Sequence, residues 1–118
     1  MKIPFSLDVV IPKIVEFGLA RVPNEACGLV IPNLDNPVDT WVHELINRSP
    51  SPQDSYIFDA EAMKPLLTDQ EVWSDVLVWH THPSGRIGPS QGDMEARHPA
   101  LHGRYLVVAL PHGEATLF

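Results

Sequence analysis

Between Val76 and His82 the chain reads Val-Leu-Val-Trp-His-Thr-His and then meets Pro83. In an extended strand the side chains of Val76, Val78, His80 and His82 fall on one face, so an apolar face ends in two imidazoles. A strand of this kind must bury its apolar part and open beside a pocket at its end. After six further residues Pro83 is followed by Ser90-Gln91-Gly92-Asp93. Two histidines and a carboxylate make three ligands of the type zinc takes, here His80, His82 and Asp93, and leave a fourth position for water. That is the catalytic form of a zinc site; a structural site is closed by four protein ligands.

The same residues have plainer explanations. A histidine pair alone fits a surface or the edge of a core, and Ser90 with Asp93 three residues on is the acidic variant of a capping box. The readings are compatible, because a helix start fixed by Ser90 holds Asp93 rigidly while Gly85 and Gly88 let the intervening loop turn back to the strand. Arg86 in that loop reads as solvated. Neither histidine is followed by an acid in the manner of H-E-x-x-H, so a general base has to come from a distant segment. Glu25 opens an alternating stretch, Glu25 to Ile31, and is the candidate. Cys27 shares its face and reads as a small buried side chain, not a nucleophile.

The remaining pattern gives a helix from Asp8 to Arg21, with Asp8 as its N-cap so that Pro12 stays in the first turn. Strands are expected at Glu25–Ile31, Trp41–Ile46 and Val76–His82, with a short extended piece at Tyr56–Phe58. Asp59–Asp69 and Ser90–Arg97 read as helices, and Tyr105–Leu110 with Glu114–Phe118 as a hairpin. Strands interleaved with helices predict one α/β domain over residues 1–118, a mixed sheet flanked by helices.

Composition narrows the partners. A formal charge of −7 opposes contact with a phosphate backbone, so nucleic acid is not expected. No apolar run approaches bilayer length, and the N-terminus meets Asp8 and Pro12 before any signal-like core forms; a cytoplasmic protein is expected. With one cysteine, Cys27, the chain forms no internal disulfide and no multi-cysteine zinc site. The same count rules out the H-x-E and P-C-x-x-C signature of the zinc deaminases.

Taken together, Pro23-Asn24-Glu25-Ala26-Cys27-Gly28-Leu29, His80-Thr81-His82-Pro83, Ser90 and Asp93 resemble the JAMM, or MPN-type, zinc metallopeptidase family in order and spacing. The resemblance covers most of the chain. It implies a fold like that of the cytidine deaminases, zinc held by His80, His82 and Asp93, Glu25 as base and Ser90 as hydrogen-bond donor near the oxyanion. The implied activity is hydrolysis of a peptide or isopeptide bond. Compact relatives of this size act on small ubiquitin-like or sulfur-carrier proteins or belong to phage tail-assembly proteins, so the expected substrate is a protein or peptide tail with small residues near the scissile bond. Two other branches carry different expectations: the RadC-like proteins, which His82-Pro83-Ser84-Gly85 also resembles, and metal-free MPN scaffolds that only assemble partners.

Overall fold

A computed structural model describes residues 6–33, 35–36, 39–58, 61, 76–98 and 103–118. Helix α1 spans Leu7–Arg21 and is capped by Ser6, whose hydroxyl accepts from the Asp8 N–H at 3.3 Å. This moves the start two residues ahead of the expected Asp8 cap and puts Pro12 in the second turn. The proline ring is exposed. The backbone bond it cannot make is therefore lost on the solvent side, where water can satisfy the freed carbonyl. The helix buries Val10, Ile14 and Gly18, spaced by four, on a single stripe.

Among the described residues five strands form one mixed sheet in the order β2-β1-β3-β4-β5. They are β1 (Cys27–Ile31), β2 (Trp41–Leu45), β3 (Leu77–His82), β4 (Tyr105–Ala109) and β5 (Ala115–Leu117). Only β3 and β4 run parallel; the other neighbours are antiparallel. Strand β3 lies in the middle and all six of its residues are buried, as a β-branched and aromatic run without charge requires. The short extended piece at Tyr56–Phe58 lies beside the sheet without joining it as a strand. The helix expected at Asp59–Asp69 lies, apart from Glu61, outside the described residues.

Alternation along the strands builds two cores. Ala26, Val30, Val42, Leu77, Trp79, Leu106 and Val108 face α1, with Phe17 stacked on Trp79 at 6.0 Å between ring centroids. Cys27, Leu29, Val78, Tyr105, Val107 and Phe118 face the other way, where Tyr56 and Phe58 pack on them. Close approach is enforced at Gly28. A Cβ there would overlap the His43 carbonyl oxygen of β2 and the Trp79 indole. Helix α2, Gln91–Glu95, is shorter than the expected Ser90–Arg97 and sits after the loop that leaves β3. Its C-cap is Ala96, whose N–H still donates to the Gly92 carbonyl in the helical i→i−4 pattern. Among the described residues no helix is long and apolar enough to cross a membrane.

Candidate active site

His80 and His82 project from the C-terminal end of β3 on the face of the second core, as the strand period demands. Their Nε2 atoms stand 3.3 Å apart, and Asp93 Oδ2 lies 3.1 Å from each. Three ligand atoms thus form a nearly equilateral triangle. In a tetrahedral site with bonds of about 2.0–2.1 Å, ligand atoms are separated by roughly 3.3–3.4 Å. The triangle has the size of one face of that tetrahedron.

Each ring is held by a different device. His82 Nδ1 donates to the Arg86 carbonyl at 3.1 Å, which leaves the Nε2 lone pair for a metal. Arg86 is exposed, as its sequence suggested, and its contribution is its backbone. The fully buried His80 has no hydrogen-bond partner at Nδ1. Packing orients it instead: Tyr56 stacks on the ring at 4.5 Å and Phe118 meets it edge-on at 6.1 Å.

Asp93 is fixed by the N-terminus of α2. Ser90 Oγ accepts from the Asp93 N–H at 3.0 Å, and Asp93 Oδ2 accepts from the Ser90 N–H at 2.9 Å. The capping box and the ligand set are therefore one structure. Ser90 Oγ is an acceptor in that bond, so its own proton stays available to a ligand. Burial works against an Asp93 charge, yet hydrogen bonds from His80 and His82 outweigh it and hold the carboxyl far below the ordinary range. Burial also dominates at His80 and lowers its basicity. At His82 burial is the largest single influence, but Asp93 and the Arg86 carbonyl together overcome it and raise the ring.

Glu25 sits just before β1, beside the histidine strand. Its carboxylate, His80 and His82 offer ligand atoms all within 4.8 Å of one another. The side chain is only 4% exposed, and Oε1 has no hydrogen-bond partner. Burial pushes the carboxyl up to about 7, with His82 opposing and Asp93 and Asp54 reinforcing the rise. A carboxylate beside the two imidazoles, titrating near neutrality and with Oε1 unpaired among the described residues, suits a base better than a ligand.

The structure brings together the five residues that the sequence singles out, and it adds the groups that position them. Thr81 points to the opposite face of β3, where its Oγ1 accepts from the Ala26 N–H at 2.9 Å while its N–H donates to the Ala26 carbonyl. The residue between the histidines thereby locks the segment carrying Glu25. Asn47 does the same from the other side, donating to the carbonyls of Glu25 and Ser55 and accepting from the N–H groups of Ser49 and Ile57. An Asn two residues before a Ser in a Ser/Pro-rich loop is a turn signal that could have singled it out. Cys27 is buried, its Sγ lies 3.7 Å from the Leu45 carbonyl and burial pushes the thiol up to about 12, which fits an inert side chain. Of the histidines read as surface or loop residues, His98 and His112 are exposed, His43 is half-buried against Trp41, and His102 lies outside the described residues.

Residues 8–117 match the model of a family described as prokaryotic homologs of the JAB domain. Among solved structures, protein DSY2949 from Desulfitobacterium hafniense, determined in solution, is similar with a TM-score of 0.57 and 24% identity. The match covers 91% of this chain and 75% of that one, and it shows the shared fold. No curated protein matches the sequence.

Proposed function

Because the chain belongs to the prokaryotic homologs of the JAB domain, we propose that it is a zinc-dependent peptidase or isopeptidase. The observation that carries this reading is the triangle of His80 Nε2, His82 Nε2 and Asp93 Oδ2, with edges of 3.1–3.3 Å, beside the unpartnered carboxylate of Glu25. Those three residues would hold the metal. Zinc bound there supplies a water of lowered pKa and polarisation of the scissile carbonyl.

The chain's own groups do the rest. Glu25 accepts the proton of the attacking water and delivers it to the leaving amine, a task matched to a carboxyl near neutrality. Ser90 donates its hydroxyl proton to the developing oxyanion while its Oγ still caps α2, so one residue stabilises charge and holds Asp93 in place. The Arg86 carbonyl and the Tyr56 ring keep both imidazoles from rotating away. Cytoplasmic location and a substrate at the tail of a small ubiquitin-like, sulfur-carrier or phage tail protein complete the proposal.

The test is to load purified protein with zinc and follow cleavage of such tails by mass spectrometry, with Glu25→Gln and His80→Ala in parallel. The reading expects about one zinc per chain in the wild type and in Glu25→Gln, little in His80→Ala, and product only from the wild type. Full zinc occupancy in His80→Ala would refute the ligand set. Zinc-loaded wild type that turns over no tail would shift the function to a scaffold.

A further inference from the structure

Next to the ligand triangle lies a cavity of about 450 Å³ walled by Tyr56, Phe58, Val78, Ala96 and Tyr105. Ser90 and Asp93 also line it, so it begins at the groups assigned to the reaction. Its walls are fixed by contacts that do not depend on an occupant. Tyr56 stacks on Phe58 at 6.2 Å and on His80 at 4.5 Å. Tyr105 stacks on Phe118 at 5.5 Å, and its hydroxyl accepts from the His98 N–H at 2.9 Å. Size, apolar walls and a few polar groups at one side are the attributes of a preformed subsite.

We propose that this cavity is the specificity subsite of the enzyme and takes one large apolar side chain, of the leucine, methionine or phenylalanine class, from a residue flanking the scissile bond. The inference rests on the amide-hydrolase reading and deepens it. A peptide advances about 3.3–3.6 Å per residue, and Asp93 Oδ2 is within 3.1 Å of both imidazole nitrogens while its residue lines the cavity. A carbonyl reacting at the triangle therefore places an immediate neighbour within reach of the cavity. Asp54 and Asp93 on its lining disfavour an acidic occupant. The proposed flanking residue is thus bulky and apolar, a different preference from the small residues that the family resemblance implies.

The test uses Glu25→Gln, so that binding is read without turnover, and NMR titration with acetyl-Gly-Gly-X-Gly-Gly-amide where X is Leu, Met, Phe, Ala or Asp. Leu, Met and Phe peptides should bind at least about tenfold tighter than Ala, the scale on which a hydrophobic pocket discriminates. Asp should bind weakest, and the shifts should centre on the amides of Ala96 and Tyr105. Ala96 is the C-cap of α2, in ordinary right-handed backbone at φ −80 and ψ −5 that does not strain a larger L side chain. Adding Ala96→Phe fills the cavity and should reduce the preference to less than about threefold, with an otherwise unchanged spectrum. Equal affinities for all X, no detectable binding of any peptide, or a preference that survives Ala96→Phe would each overturn the subsite. Turnover of the same peptides by zinc-loaded wild type is scored separately. Preference without cleavage removes the hydrolase reading and keeps the pocket; cleavage without preference does the reverse.

Discussion

Glu25 gives the metal-free protein a stability that depends on pH in a calculable way. Its folded-state carboxyl titrates near 7, against an ordinary value of 4.5. Between those values the native state keeps a proton that the unfolded chain has released, so stability falls as pH rises through the window. At about 1.4 kcal/mol per pH unit the interval is worth roughly 3 kcal/mol. The side chain also lines a cavity of about 400 Å³ with Arg21, Asn24 and Asn47. Water there screens the charge and brings the expectation to about 1–3 kcal/mol. Glu25→Gln keeps the shape and cannot ionise. Urea unfolding in chelator from pH 4.5 to 8 should show the variant gaining on the wild type by that amount, almost all of it between pH 5 and 7.5. His82 contributes in the same direction, since its raised pKa stabilises below about 6.5 and is lost as pH climbs through the folded value. That contribution is largely shared by both proteins and cancels in their difference. Parallel stability curves across the range would refute the argument that burial of Glu25 sets its titration.

Four further outcomes follow from named contacts. Gly28→Ala forces a methyl into the His43 carbonyl and the Trp79 ring, and should cost about 3 kcal/mol or more in denaturant midpoint because backbone cannot yield as a side chain can. Asn47→Ala strands the groups it pairs and should cost about 2 kcal/mol, while lowering turnover more than zinc content, since it frees the Glu25 segment and leaves the ligands in place. Zinc should raise the melting temperature of the wild type and leave Asp93→Ala unmoved, by linkage of binding to folding; equal shifts would remove Asp93 from the ligand set. Cys27→Ala should retain most activity, whereas chelation abolishes it, and the opposite pattern would identify a thiol enzyme.

What could be read from the sequence was whatever local periodicity or fixed spacing encodes. The strand period puts His80 and His82 on one face, and the three-residue offset puts Ser90 and Asp93 in one capping box, so four of the five candidate residues are paired by local pattern alone. Glu25 came from a chemical need plus the family pattern; no local signal separates it from a solvated strand-end acid, because its burial depends on Pro52, Asn47 and Thr81 closing around it. Long-range contacts of this kind have no period. The same limit explains the helix start, where Asp8 and Ser6 are equally good caps and only the docking of Val10, Ile14 and Gly18 on the sheet selects Ser6. It explains the cavity as well. Tyr56–Phe58 reads from sequence only as a short extended piece; the stacking of its two rings and the seat of Tyr56 against His80, which make it a wall between the second core and the candidate site, are long-range contacts without a local signal. Holding His80 by an aromatic face rather than a carboxylate leaves its Nδ1 without a hydrogen bond in the core, a cost of about 1–3 kcal/mol. A bound cation at Nε2 would offset that cost by drawing both imidazoles and Asp93 onto one centre, which makes metal loading the step that should tighten the whole wall, Tyr56 included.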